Sequence, residues 1–143
     1  MKDKICICAG ALGGTVAWLF GGWSSDLTAL LICMLVDFLS GSAVALVFHK
    51  SQKTATGSYS SAYGFAGLCK KAMLLAIVAV GHQMDLVLEL NYIRTALCIG
   101  FLLNECLSIV ENAGLMGVPV PKIFVRALDV LQKKSDEIRE EGT

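Results

Sequence analysis

Three groups of polar residues, each in or beside an apolar run, carry whatever chemistry this chain has. Asp37 stands near the middle of "LLICMLVDFLSGSAVALVF", Leu30 to Phe48, with Ser40 and Gly41 on the same helical face. Asn104, Glu105, Ser108, Glu111 and Asn112 crowd into "YIRTALCIGFLLNECLSIVENAG", Tyr92 to Gly114. Lys70 and Lys71 precede the apolar run that begins at Ala72. A charged side chain at the centre of an inserted helix costs about 2.5–3.5 kcal/mol. Each buried carboxylate therefore demands a partner, a proton or contact with water.

The usual catalytic constellations are missing from the sequence. His49 and His82 are far apart, and there is no H-E-x-x-H, Gly-rich phosphate loop or G-x-S-x-G elbow. No enzyme is indicated, and neither cofactor nor metal is expected. The six cysteines lie mostly within apolar runs and none forms a C-x-x-C pair, so they read as small hydrophobes. Formal net charge is zero with no long basic run, which gives no electrostatic footprint for nucleic acid.

These polar groups sit in a chain that is 55% hydrophobic and only 17% charged, with mean hydropathy +0.66. Soluble domains carry about 25% charged residues, so a polytopic helical membrane protein is expected. Its fold class is all-α, with spans over about 5–20, 27–48, 72–90 and 92–114 as a domain of residues 1–118, and a tail over 119–143. The first run follows Lys2 and Lys4 as a signal peptide would, but bulky Phe20 and Trp23 stand where a cleavage site wants small residues. A retained helix is favoured, and three spans are the alternative. Gly10 and Gly14 in it form a G-x-x-x-G.

The fourth span reads as a helix because of periodicity. At about 100° per residue, Gly100, Asn104, Ser108 and Glu111 fall together, with Glu105 and Asn112 at one margin. Asn104 and Ser108 are the expected donors to Asp37. Gly117, Pro119 and Pro121 then force the helix to stop at an elbow. Beyond it, Phe124, Leu128, Leu131 and Ile138 mark an amphipathic cytoplasmic helix.

Lys and Arg retained near span ends set orientation. They cluster at Lys2 and Lys4, at Lys50, Lys53, Lys70 and Lys71, and at Lys122, Arg126, Lys133 and Lys134. Both termini are thus expected in the cytoplasm, with Lys70 and Lys71 at the cytoplasmic boundary attracting anionic lipid. The stretch between spans two and three, rich in Ser, Gly and Tyr, reads as a loop whose Tyr59, Tyr63 and Phe65 suit the headgroup level. Three readings of the polar groups remain open: mutual satisfaction in a small bundle, a proton relay as in a proton-coupled transporter, or stripes buried between protomers that later line an aqueous hole. A membrane anchor whose tail recruits a soluble partner is a further class.

The segments "GGWSSDLTALLICMLVDFLSGSAVALVFHK", "GFAGLCKK" and "NECLSIVENAGLMGVPVPK" resemble the bacteriophage holin family, which includes toxin-release holins of clostridia. The resemblance rests on Gly21, Gly22 and Trp23, on Asp37, Phe38 and Gly41, and on Gly64, Gly67, Lys70 and Lys71. Its most specific block is Asn104, Glu105, Ser108, Glu111, Asn112, Gly117, Pro119 and Pro121. What it implies is a homo-oligomer in the bacterial cytoplasmic membrane, forming holes through which an endolysin or toxin passes, with an antiholin as a possible partner.

Overall fold

The structure, a computed structural model, describes residues 2–52, 55–56 and 60–141. Five helices and, among the described residues, no strands make it all-α: α1 Lys2–Leu19, α2 Ser25–Leu46, α3 Ser61–Leu88, α4 Ile93–Met116 and α5 Lys122–Glu141. Lys53 and Tyr59 lie outside the described residues, as do the side chains of Lys2 and Lys4.

Among the described residues three helices, α2, α3 and α4, are long and apolar enough to cross a membrane. The first expected span is not among them. α1 opens on Lys2, Asp3 and Lys4 and has 18 residues, so its apolar part is short of the roughly 20 residues a span needs. A side chain added at Gly10 or Gly14 would meet nothing within 4 Å, so the G-x-x-x-G faces open space.

α3 begins at Ser61, well before the expected Ala72, and absorbs much of the supposed loop. Ala62, Ala66, Leu68, Lys70 and Lys71 are all good helix formers, and they outweigh the glycines at 64 and 67. α4 ends as its sequence dictates. Gly117 takes the left-handed conformation (φ 77°), while Val118 N donates to Ala113 O at 2.9 Å and Gly117 N to Gly114 O at 3.0 Å. That paired closure satisfies two terminal carbonyls, and Pro119 and Pro121 prevent any continuation.

α4 is the hub. It packs against α2, α3 and α5, whereas α2 and α3 barely touch each other. The core is Leu27, Leu30 and Met34 of α2, Val78 of α3 and Cys98 of α4, with Phe20, Leu74, Leu97 and Phe101 packed around it. Gly81 lets α3 approach α4 closely, since any Cβ there would run into Leu97. α5 buries Leu128 and leaves Ile123 and Val130 exposed.

Outward-facing Ile32, Leu35, Leu39, Val80, Leu86 and Val87 are all more than half exposed. An apolar exterior over polar interior contacts suits a lipid solvent, where backbone groups are satisfied within helices. Cys33, Cys69, Cys98 and Cys106 are free thiols, and Cys33 Sγ lies 3.8 Å from Cys106 Sγ across the α2–α4 seam.

The α1–α2 turn needs its glycine. Gly21 has φ +73°, and the His82 ring of α3 occupies the space a Cβ would take. Gly21→Ala is expected to lower stability by about 1–2 kcal/mol from the left-handed backbone alone. Denaturant unfolding in micelles measures it as a fall in midpoint with unchanged slope.

Candidate functional site: a buried polar network between three helices

Asp37 has found its partners inside the protein. From α3, Lys71 Nζ donates to Asp37 Oδ2 at 2.8 Å and also to Glu105 Oε2 of α4. From α4, Asn112 Nδ2 donates to Asp37 Oδ1 at 3.1 Å and to Ser40 Oγ at 2.9 Å. Ser40 in turn donates to the Asp37 carbonyl at 3.1 Å. Gly41 borders this seam, and a Cβ there would make an ordinary contact of 3.6 Å with Asn112 Nδ2.

One ammonium thus bridges two carboxylates. Glu105 is only 4% exposed, and the Lys71 and Asp37 side chains are 14% and 13% exposed. Such a cluster brings α2, α3 and α4 into register, yet buried ion pairs roughly cancel their desolvation cost.

Several expectations need correction here. Lys71 points inward to Asp37 and Glu105, while its neighbour Lys70 is exposed. Donors to Asp37 come from Lys71 and Asn112, not from the expected pair. Asn104 is exposed and Ser108 half-buried. The polar stripe of α4 is split in two. Glu105 and Asn112, seven residues apart and read as a margin, turn inward to the network, Glu111 is exposed, and Asn104, though exposed, lines the cavity beside Glu105. That seven-residue spacing was the signal in the sequence, since it returns a helix to the same face.

A cavity of about 480 Å³ opens between α2 and α3, where the two helices diverge. Asp37, Lys71, Asn104 and Glu105 are among its polar lining, Phe38, Met73 and Leu74 among its apolar wall, and Lys70 also lines it.

At the opposite end of the bundle lies a second polar cluster that sequence reasoning missed. Asp85, 6% exposed on α3, accepts from the backbone N–H of Ile93 (3.0 Å) and Arg94 (2.9 Å), the first residues of α4. A carboxylate from one helix therefore caps the next, satisfying two otherwise orphaned donors against a favourable dipole. Arg94 reaches across to Asp26 Oδ1 at 3.1 Å and to Ser24 Oγ, tying α4 to the start of α2.

A family model described as the bacteriophage holin family matches residues 14–133. An uncharacterized protein of Halalkalibacterium halodurans is 35% identical over 90% of this chain and 93% of its own length. One from Clostridium perfringens is 31% identical over 92% and 95%. A probable holin of Bacillus phage phi105 is 28% identical over 85% and 84%. No solved structure matches.

Proposed function

We propose that this chain, which belongs to the bacteriophage holin family, assembles with copies of itself in the bacterial cytoplasmic membrane and opens holes that release a cell-wall hydrolase or a comparable protein cargo. The family is not one of enzymes. The observation that carries the proposal is the Asp37–Lys71–Glu105–Asn112 network at the meeting of three apolar helices. It gives the bundle a polar interior whose contacts are individually weak, about 0.6 kcal/mol for a typical interhelical hydrogen bond in a membrane. Helices held in this way can exchange partners. Polar groups first satisfied inside one subunit then face water when the assembly opens.

In this reading the α2–α3 connection and α5 lie in the cytoplasm, following Lys50, Lys122 and Arg126. The short apolar run of α1 crosses as a fourth span in a bilayer that thins around it, which leaves both termini inside. α5 rests on the inner leaflet through its exposed apolar residues.

Asp37→Leu tests the mechanism. Lys71 and Glu105 would remain as a balanced pair, so insertion and accumulation should stay near wild type while the onset of lysis shifts or disappears. Unchanged timing in a lysis assay would remove Asp37 from the opening step. A second reading, a proton-coupled transporter, is favoured by one feature: both network carboxylates line the cavity. Vesicles containing the protein separate the two, because a hole passes fluorescent dextran and a transporter passes only small ions.

A further inference from the structure

We infer that subunits join head to tail, the exposed face of α4 in one copy packing along the exposed face of α3 in the next, with Glu111 paired to the neighbour's Lys70. This rests on the self-assembly reading above and assigns its interface. Tyr63, Lys70, Ile77 and Met84 of α3 recur every seven residues, with Met73 and Val80 three positions on, and all are exposed. Heptad spacing of this kind is how helices present a continuous seam to a partner, and a single lysine in such a seam fixes register. Methionine side chains adapt to whatever surface arrives.

α4 offers the complementary seam. Asn104, Leu107, Glu111 and Gly114 are exposed at four- and three-residue steps, and a Cβ on Gly100 or Gly114 would meet nothing within 4 Å. Small residues there allow close approach. Among the described residues, neither Lys70 nor Glu111 meets an oppositely charged partner in its own chain. Both belong to helices long and apolar enough to cross a membrane.

Their depths agree. Lys70 stands eighteen residues before the end of α3 at Leu88, and Glu111 eighteen residues after the start of α4 at Ile93. At about 1.5 Å per residue both are about 27 Å from the ends that the Asp85 cap holds together. Joined head to tail, copies close into a ring or run on as a filament.

The full-length chain in phospholipid vesicles tests this. Lys70→Glu or Glu111→Lys alone should lower the assembled fraction at fixed density by about tenfold, and the two reversals combined should restore it. A photo-cross-linking residue at position 107 in one tagged copy should capture the Lys70–Ile77 region of the other. Capture of the neighbour's α4, or of lipid only, would overturn the interface. If both single reversals assemble as well as wild type, self-assembly stands and this contact is wrong. If wild type itself stays monomeric, the proposed function fails first.

Discussion

Lys71→Met is expected to destabilise the folded chain by about 3–5 kcal/mol, the cost of removing one partner from a buried ion cluster. The lysine is the shared counter-ion of Asp37 and Glu105, so its loss strands two carboxylates facing each other across the α2–α4 contact. Like charges in a poorly screened interior repel strongly. By contrast Lys71→Met combined with Asp37→Asn and Glu105→Gln removes every charge together and should recover most of the loss, as uncharged replacements of buried ion groups often do. Denaturant titration in micelles, read beside accumulated protein in cells, measures both. A single variant as stable as wild type would mean that Lys71 leaves the network under native conditions.

Asp85→Ala is the second large effect. Two charge-assisted bonds to the start of α4 disappear, and each is worth about 1.5–3 kcal/mol. The Ile93 and Arg94 amides would be orphaned beside a buried site, so a loss of about 3 kcal/mol is expected. Asp85→Asn should cost less, because its side-chain oxygen still accepts one bond. Amide hydrogen exchange reports the change locally: protection should fall first across the opening turn of α4, while the Lys71 cluster at mid-helix keeps its own. Uniform loss along α4 would place the effect elsewhere than the cap.

The parts of the architecture that could be read from residues alone are those that depend on one helix at a time. α2 follows from apolar length and α4 from its periodicity, and the end of α4 follows from Gly117, Pro119 and Pro121, because left-handed closure and a missing donor are local events. Asp37 announced itself as a buried carboxylate for the same reason. Its partners did not, because which side chains meet is decided by the rotation of three helices about one another. Lys71 lies 34 residues from both Asp37 and Glu105, and a lysine at the edge of an apolar run looks identical whether it turns to headgroups or to the core. The start of α3 was hidden by composition, since Ser, Gly and Tyr around position 60 suit a loop and a helix N-terminus alike. The Asp85 cap and the Arg94–Asp26 tie were hidden because each joins separate elements. Glu105 and Asn112 were within reach of periodicity but were read as the margin of the stripe that Asn104, Ser108 and Glu111 define.

The unequal lengths of the crossing helices bear on how the bilayer itself acts on the protein. α2 and α4 have 22 and 24 residues and α3 has 28. That makes α3 about 42 Å long against a hydrocarbon slab of about 30 Å. The surplus is its opening turns, which precede the apolar run beginning at Ala72 and, through Tyr63, Gly64 and Gly67, wall the cavity. Hydrophobic mismatch acts on an apolar stretch, not on a whole rod, so these turns can overhang the hydrocarbon without tilting α3.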